Sequence, residues 1–594
     1  MKIRYLDGKR LYYAFLAGGQ AVIRDQAYLN KINVFPVPDS DTGTNLASTM
    51  RSIAEGARAS SSADVTLGSI ADAALLGARG NSGLIFAQFL YGLSQEIGKE
   101  RRLTAHRFAE GARKAVQYAR RAILTPVEGT MITLINDWAE ALYEQRLKMN
   151  DFVELLSYSL HVAERSLKDT PKKLAVLAEA GVVDAGAKGF FDFLEGVVAF
   201  IKKGNIKAIM QEDAASLPWP RDVAVTRSTL TKRYCSEALL VGKDLDIEAV
   251  QELVRRSGES AIVAGSPAKL RIHVHTDAPA DLFHELQRHG TILDIKADDM
   301  LRQYEAAHER KAPIAVLTDS SCDLPQSVLD GHQVHLLPFN LFFGESLFLD
   351  KVTIAPGQFY DLLKSRREMP TSAQPPQANV QRVLEFLAGH YDSVIAVTIS
   401  GGLTGVHGQF LKAREALGLD PSRVAVIDSR HLSVSEALIV LRVAEAVRAG
   451  RTFGEISSEA ERWVEKTKLW VDIRTLKYMV RGGRVSPLKG LMAAALNIKP
   501  IVSLDAAGKA VILGKSFSRR QNMKKILGLI GKAAAGRSIW NYGVTHAQNP
   551  FRALRYANAL EEMLGKKAAF ISEVSPVVGV HNGIGVVGVA MMFE

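Results

Sequence analysis

The feature that most constrains the fold is a set of four turns of small residues between helix-patterned segments in the N-terminal third of the chain. The turns are NVFPVPDSDTGTN at 33–45, GARGNSG at 77–83, PVEGT at 126–130 and GVVDAGAKG at 181–189. One such turn is usually a connector or a helix cap. Four of them in one region predict a helical domain whose turns together build one site.

The first turn has the composition of a magnesium-triphosphate site. Asp39 and Asp41 place two carboxylates one residue apart, and Mg²⁺ prefers a few carboxylate oxygens combined with phosphate oxygens of the substrate. Gly43, Thr44 and Asn45 follow with donors for those phosphates. The pattern predicts phosphoryl transfer, and a polar turn or helix cap is the alternative interpretation of the same residues.

The second turn has the form of an anion site. Its glycines bracket Asn81 and Ser82 directly before a predicted helix, LIFAQFLYGL. A helix N-terminus that is approached through glycine readily binds phosphate. The remaining two turns each add an acid, Glu128 and Asp184.

Together NVFPVPDSDTGTNL, GARGNSG, PVEGT and GVVDAGAKGF resemble the ATP-binding domain of dihydroxyacetone kinases, in the form found in bacterial fatty acid kinase. The resemblance implies an all-α helical bundle over residues 1–205 that binds ATP, with Mg²⁺ held by Asp39 and Asp41. It also implies nucleotide contacts at Thr44, Asn45, Gly80, Asn81, Ser82, Gly83, Asp184 and Gly186. Two positions depart from the family pattern: Ser40 replaces the usual glycine between the aspartates, and Val34 stands where the dihydroxyacetone enzymes have a third aspartate.

A polar, proline-bearing stretch at 211–221, QEDAASLPWPR, interrupts the helical pattern and predicts a boundary. We expect a small α/β middle domain over residues 215–308. Within KLRIHVHT, His273 and His275 alternate across one residue, so both imidazoles point to the same face of a strand. With Cys235 they could supply three ligands of a Zn²⁺ site, although such residues also occur together without metal.

The segments YC, HVHT and GTILDIKADDM resemble the middle domain of fatty acid kinase. This resemblance implies a structural Zn²⁺ on Cys235, His273 and His275, with the fourth ligand unassigned. A catalytic zinc is the alternative if the fourth position is open to water.

From residue 309 onward, buried-strand patterns run into serine-rich turns, as in KAPIAVLTDSSCDLP and VAVIDSRHLSV. Such transitions bind ligands in α/β proteins, and strands that alternate with helices predict a doubly wound sheet. Seven segments in order, TDSSCDLP, PTSAQPP, ISGGLTG, DSRHLS, LKYMVRGGRVS, NIKPIVSLDAAGK and VVGVHNGIGVVGV, resemble the DegV family. Residues 309–594 are therefore expected to form a two-lobed α/β domain of that family.

The DegV resemblance implies an acyl chain enclosed between two lobes, with its carboxylate held by hydroxyls and a histidine. The implied lipid-binding positions are Thr371, Ser400, Gly402, Thr404, Arg484 and His581. Arg484 is also the candidate for stabilising transferring phosphoryl oxygens. An acyl tail needs a dry tunnel and a few donors at its mouth. In ISGGLTG the family's second serine is Gly401.

The composition limits where the protein is expected to be found and which partners it is expected to bind. The 594 residues are 47% hydrophobic and 23% charged, ordinary values for a chain with several cores. With two cysteines and no apolar leader at the N-terminus, we expect a cytoplasmic protein. The net charge of +11 is spread along the chain, so we expect no nucleic-acid partner. The densest basic patch, which could contact a membrane surface or be only a solvated face, comprises Lys515, Arg519, Arg520, Lys524 and Lys525.

The combined interpretation is a fatty acid kinase in fused form, which transfers the γ-phosphoryl group of ATP to a fatty acid carboxylate. The expected partners are a long-chain fatty acid, separate acyl-binding or acyltransferase proteins, and a second copy of the chain if the two sites meet across a homodimer. Two alternatives remain open. One is a lipid carrier with a regulatory or inactive kinase domain, and the other is a kinase for a small hydroxyketone such as dihydroxyacetone.

Overall fold

The computed structural model describes residues 2–35, 41–203, 230–483 and 498–594. It divides into two compact units, the first made of Met1–Ala278 with Glu285–Leu301 and the second of Pro279–His284 with Arg302–Glu594. Three predicted features lie outside the described residues: Asp39 with its neighbour Ser40, the boundary at 211–221, and Arg484.

The N-terminal part of the first unit is a helical bundle with a short antiparallel ribbon of β1 (Tyr5–Asp7) and β2 (Arg102–Thr104). The helices, within the described ranges, are α1 (Gly8–Arg24), α2 (Gln26–Lys31), α3 (Thr42–Gly56), α4 (Ala63–Gly77), α5 (Gly80–Ile97), α6 (Ala105–Ala122), α7 (Met131–Gln145), α8 (Phe152–Lys173), α9 (Ala175–Ala180) and α10 (Ala185–Lys203).

Apolar and small residues on the inner faces of the helices hold the bundle together. Helices α1 and α10 approach closely, and a Cβ added at Gly18 would lie 2.6 Å from the ring of Phe193. That ring also packs edge-on against Phe86 of α5, with ring centroids 4.9 Å apart. Aromatic pairs of this geometry stabilise a core beyond the area that they bury. These contacts pack α1, α5 and α10 against one another and so position the N-termini of α5 and α10.

The middle part of the first unit is an antiparallel sheet in the order β4-β5-β3-β6. Its elements are β3 (Tyr234–Val241), α11 (Ile247–Ser257), β4 (Glu259–Ser266), β5 (Lys269–Thr276) and β6 (Thr291–Asp299). Two helices, α12 (Pro279–Leu286) and α13 (Met300–His308), each contain residues of both units. The sheet joins the bundle at β4, where Ala261 accepts the N–H of Leu124 at 3.1 Å and Gly265 donates its N–H to Gln88 at 2.7 Å. Ile262 of β4 belongs to the core of the bundle.

The second unit begins with a parallel sheet in the order β13-β12-β7-β8 and a three-stranded antiparallel sheet in the order β10-β9-β11. Their elements are β7 (Ile314–Asp319), α14 (Gln326–Gly331), β8 (His335–Leu337), β9 (Asn340–Phe343), β10 (Ser346–Leu349), α15 (Pro356–Ser365), β11 (Thr371–Ala373), α16 (Gln377–His390), β12 (Ser393–Thr398), α17 (Val406–Ala416) and β13 (Val424–Asp428).

The rest of the second unit is built on a six-stranded sheet in the order β16-β15-β14-β19-β17-β18. Its elements are α18 (Ser433–Arg448), α19 (Phe453–Lys466), β14 (Thr467–Asp472), α20 (Lys477–Arg481), β15 (Lys499–Leu504), β16 (Ala510–Ser516), α21 (Arg519–Ala534), β17 (Ile539–His546), α22 (Pro550–Leu564), β18 (Phe570–Glu573), α23 (Pro576–Asn582) and β19 (Val587–Phe593).

The predicted fold class is confirmed: a helical N-terminal region, a small middle region with one sheet, and a C-terminal α/β region. The C-terminal sheets differ from a single doubly wound design. The first is parallel, whereas the six-stranded sheet is antiparallel except between β17 and β18. Among the described helices, none is both long and apolar enough to cross a membrane.

Candidate functional site

Asp41 lies at the start of α3, where its backbone carbonyl accepts the N–H of Asn45 at 2.8 Å. The Asp41 carboxylate is partly exposed and lies 3.8 Å from Nζ of Lys296 on β6. Thr44 is on the first turn of α3, where Asn30 of α2 contacts it. Thr44 donates its N–H to Oδ1 of Asn30 and accepts a hydrogen bond from Nδ2, both at 2.9 Å. A phosphate at this turn would therefore compete with Asn30 for the N–H of Thr44.

The first two predicted turns lie side by side. Gly80 has a φ of +58°, and a Cβ at this position would overlap Nδ2 of Asn45. One turn later, a Cβ at Gly83 would lie 2.8 Å from Oγ1 of Thr49. Glycine permits both the left-handed backbone and the close approach of α5 to α3. The arrangement brings the N-termini of α3 and α5 together, as a shared nucleotide would require.

The fourth turn meets the second. A Cβ at Gly186 would lie 2.6 Å from Oγ of Ser82. Asp184 precedes α10 and accepts the N–H of Ala187 at 2.8 Å, so it caps this helix. Burial raises the pKa of Asp184 to about 6, although backbone N–H groups of Ala187, Met131 and Gly186 act in the opposite direction. The structure thus gives Asp184 a capping role beside Ser82.

A cavity of about 110 Å³ opens where these turns meet. Asn81, Ser82 and Asp184 supply polar groups to it, and Oδ1 of Asn81 is buried with no partner among the described residues. The apolar part of the lining comprises Phe35, Ile85, Ile123, Val127, Met131, Ile132, Ala261 and Ile262. Glu128, the acid of the third turn, instead accepts a hydrogen bond from the hydroxyl of Thr133 at 2.7 Å.

The three predicted zinc ligands lie together on neighbouring strands. Cys235 on β3 is directly opposite His275 on β5, and His273 lies two residues before it on the same face. One ligand atom from each of the three residues lies within 4.8 Å of the others, and all three are buried. Nε2 of His273 is buried without a partner in the part of the chain that the structure describes.

This donor set fits a zinc ion, because it combines sulfur and imidazole nitrogen in a buried position. Burial raises the pKa of the Cys235 thiol well above its usual value. Burial also lowers the pKa of His275 to about 3, with the charge of His273 acting in the same direction. Neutral imidazole is the form that binds metal.

Residues that the sequence reasoning missed surround this cluster. Glu237 is buried two residues after Cys235, and its Oε1 lies 3.4 Å from Nδ1 of His273. Burial alone would raise the pKa of Glu237, but the charges of Lys296, His273 and Arg79 together hold it below its usual range. Lys296 also lies 2.9 Å from Asp298. The sequence did offer a signal for Glu237: it follows Cys235 by two residues, and alternate residues of a strand lie on the same face.

The second unit contains a larger cavity of about 260 Å³. Three sheets and α23 enclose it with mostly apolar side chains, among them Phe339, Ile399, Leu403, Leu432, Leu469, Val471, Ile473, Met479, Val502, Leu504, Val577 and Val578. Polar side chains in the lining are Ser372, Gln374, Thr404, Ser503, His581 and Asn582. Oγ of Ser372 lies 3.2 Å from Nε2 of His581, and Gln374 donates to the hydroxyl of Thr404 at 3.0 Å.

The predicted lipid-binding residues are therefore only partly at the cavity. Thr404 and His581 line it, whereas Thr371, Ser400 and Gly402 are not part of its lining. Thr371 is exposed, and its neighbour Ser372 faces the cavity, a difference of one residue in β11 that the sequence pattern did not reveal.

Gly401, which replaces the second serine of the DegV pattern, lies against the carboxylate of Asp428. A Cβ at Gly401 would lie 2.8 Å from Oδ2 of Asp428, and Gly401 donates its N–H to Oδ1 of the same carboxylate at 3.0 Å. Asp428 also accepts the N–H of Arg430 at 2.8 Å. The Cβ of a serine at position 401 would lie too close to this carboxylate, which gives a physical reason for glycine here.

Comparison with family models agrees with the three regions of the fold. Residues 36–199 match the DAK2 domain, residues 231–307 match the FakA-like middle domain of fatty acid kinase, and residues 313–594 match a model described as an uncharacterised protein of the DegV family. One chain thus carries the domain composition of a fused fatty acid kinase. The predicted boundaries 1–205, 215–308 and 309–594 contain these ranges, and their end points stay predictions.

Individual relatives cover only part of this architecture. An uncharacterised protein of Staphylococcus saprophyticus is 33% identical over 309 residues, which are 50% of this chain and 56% of that protein. The protein YloV of Bacillus subtilis is 31% identical over 316 residues, 51% of this chain and 57% of YloV. The chain thus spans about half the length of the curated relatives that it matches.

Solved structures resemble one region of the chain. The DegV structure from Bacillus subtilis, described as a fatty acid binding protein, is 26% identical with a TM-score of 0.44, and it covers 48% of this chain and 100% of that one. A DegV family protein from Thermus thermophilus, whose description reports fatty acid binding, is 24% identical with a TM-score of 0.44, covering 47% and 99% of the two chains.

Proposed function

We propose that this chain is a fatty acid kinase, which transfers the γ-phosphoryl group of ATP to the carboxylate of a fatty acid to give acyl phosphate and ADP. The observation that carries the proposal is the occurrence of a DAK2 domain, a fatty acid kinase-like middle domain and a DegV domain in one chain. A nucleotide domain alone would leave the acceptor open, whereas the DegV domain brings a mostly apolar cavity.

At the nucleotide end, Asp41 and the turn 80–83 are the proposed contacts with Mg·ATP, together with Asp39. Mg²⁺ would neutralise phosphate charge there. Lys296, 3.8 Å from the Asp41 carboxylate, adds a cation that can help to hold phosphate oxygens. A fatty acid carboxylate is already an anion at neutral pH, so the chain needs no general base to create the nucleophile. Positioning and charge stabilisation are then the whole contribution of the protein.

At the acyl end, we propose that the apolar wall of the cavity encloses the hydrocarbon chain and that Thr404, Ser372 and His581 hold the carboxylate. The short distance between Ser372 and His581 supports a shared donor pair for one carboxylate. Arg484 remains the proposed stabiliser of phosphoryl oxygens and lies outside the described residues.

We propose a structural Zn²⁺ for Cys235, His273 and His275, which would hold β3 against β5. The burial of all three residues supports this role.

Contact with a membrane surface is the proposed route by which fatty acid reaches the second unit. Three apolar side chains in or beside the edge strand β16 are exposed: Ile512, Leu513 and Phe517. Lys515, Arg520 and Lys524 are exposed in the same part of the chain. Apolar and basic side chains together bind anionic lipid surfaces.

The proposal is tested by measuring ADP release from Mg·ATP with and without a long-chain fatty acid. Release that depends on fatty acid supports the kinase. Release that depends instead on dihydroxyacetone would replace it with a hydroxyketone kinase, and fatty acid binding without ADP release would favour a lipid carrier.

A further inference from the structure

The middle sheet holds the glycine turn of the nucleotide site through one buried carboxylate. Gly80 donates its backbone N–H to Oε1 of Glu237 at 2.7 Å, and Nη1 of Arg79 lies 3.4 Å from Oε2. The Glu237 side chain is fully buried, so solvent does not compete for these contacts. A charge-assisted hydrogen bond in such a position is stronger than a neutral one.

A second contact holds the chain just before this turn. The guanidinium of Arg271 on β5 donates to the carbonyl oxygens of Ala78 at 3.1 Å and Leu76 at 3.2 Å, where α4 ends. The same guanidinium donates to Asp294 at 2.7 Å, and Asp294 also accepts from Arg79 at 2.9 Å. Side chains of the middle sheet therefore hydrogen-bond to residues 76, 78, 79 and 80.

The carboxylate of Glu237 also faces the cysteine and histidine cluster. Its Oε1, which accepts from Gly80, lies 3.4 Å from Nδ1 of His273. A carboxylate hydrogen-bonded to one imidazole nitrogen orients a metal-binding histidine and strengthens it as a ligand. Glu237 is thus shared between a candidate metal ligand and the N-terminus of α5.

We propose that Glu237 is a positioning residue that couples metal binding at Cys235, His273 and His275 to nucleotide binding at the turn 80–83. A metal bound to His273 would orient the imidazole ring, and the ring would hold the Glu237 carboxylate in place. Glu237 accepts the N–H of Gly80, so the next N–H groups of α5 would be held ready for phosphate. Because the turn is ordered before nucleotide arrives, binding costs less conformational entropy. Coupling is reciprocal, so nucleotide raises metal affinity by the same factor. This inference rests on the proposed function only in taking Mg·ATP as the ligand of the turn.

The test uses the full chain, stripped of metal with a chelator or loaded with Zn²⁺. Mg·ATP affinity is measured at both metal loads by calorimetry, and Zn²⁺ affinity is measured against a chromogenic chelator with and without ATP. We expect Zn²⁺ to tighten nucleotide binding by about five- to a hundredfold. In Glu237→Gln, which keeps the shape of the side chain, both ligands still bind but the factor falls to about two or less.

The matched control is Asp299→Asn on β6, because Asp299 pairs with Arg233 in the same sheet. It should keep the full coupling. Hydrogen exchange of the peptide that covers residues 78–83 gives a second readout without nucleotide: Zn²⁺ should slow exchange at the Gly80 amide in the wild type and not in Glu237→Gln. Nucleotide and metal affinities that are independent of each other in the wild type, or equal coupling in Glu237→Gln, would overturn the inference. A chain that binds no nucleotide at either metal load would overturn the proposed function as well.

Discussion

The hydroxyl of Ser400 donates to the carbonyl oxygen of Gly508 at 2.9 Å and accepts the N–H of Gly402 at 3.1 Å. Gly508 lies in the turn between β15 and β16, so Ser400 fastens this hairpin to the ISGGLTG segment. Because Ser400 is fully buried and outside the cavity lining, we expect its hydroxyl to stabilise the fold.

Ser400→Ala should therefore lower the free energy of unfolding of the second unit by about 1–2 kcal/mol, since it leaves the Gly508 carbonyl and the Gly402 N–H without their partner.

Thr404→Val, which removes a hydroxyl from the cavity lining, should instead weaken fatty acid binding by about tenfold. Urea denaturation and displacement of a fluorescent fatty acid measure the two effects. A larger loss of affinity in the Ser400 variant would mean that Ser400 holds the carboxylate.

Asp184 gives a prediction for the pH dependence of stability in the first unit. Burial raises its pKa from 3.8 to about 6 in the folded state. The folded unit keeps this proton while the unfolded chain releases it, so the unfolding free energy falls by up to about 3 kcal/mol as the pH rises from about 4 to about 6. Above that range the loss of unfolding free energy stays constant.

Asp184→Asn should remove this dependence, because asparagine caps a helix equally well and carries no charge. Its stability relative to the wild type should rise across the same pH range, as measured by urea denaturation. Asp151→Asn is the matched control, since Asp151 accepts the N–H of Val153 and caps α8 in the same way. An unfolding free-energy difference between Asp184→Asn and the wild type that stays the same at every pH would contradict the assignment.

The exposed side chains at β16 predict binding to anionic vesicles. Phe517 is 67% exposed beside basic residues, and its replacement by serine should weaken vesicle binding by about five- to tenfold through lost apolar burial. Leu147→Ser is the control, because Leu147 is 76% exposed in the first unit. Cosedimentation with phosphatidylglycerol vesicles at low and high salt measures both, and equal losses in the two variants would exclude this surface.

Local pattern predicted the parts of the sites that depend on neighbouring positions. Alternation placed His273 and His275 on one face, and the structure brings Cys235 to them across the β3 and β5 pair. A local pattern does not predict contacts between segments that are far apart in the sequence. Glu237 meets Gly80 across 157 positions, and no periodicity encodes such a pairing. At the cavity, Ser372 takes the place predicted for Thr371. This error has a different cause, because a shift of one residue in a short strand reverses which residues face the cavity.

Acyl phosphate is the product that separates a fatty acid kinase from a lipid carrier and from a hydroxyketone kinase. The most direct measurement is hydroxylamine trapping after incubation with Mg·ATP and a long-chain fatty acid, with the acyl hydroxamate identified by mass spectrometry. We expect hydroxamate that requires ATP and disappears in Asp41→Asn, while fatty acid binding by that variant stays intact. Fatty acid bound by the wild-type chain in the presence of Mg·ATP, with no hydroxamate formed, would contradict it.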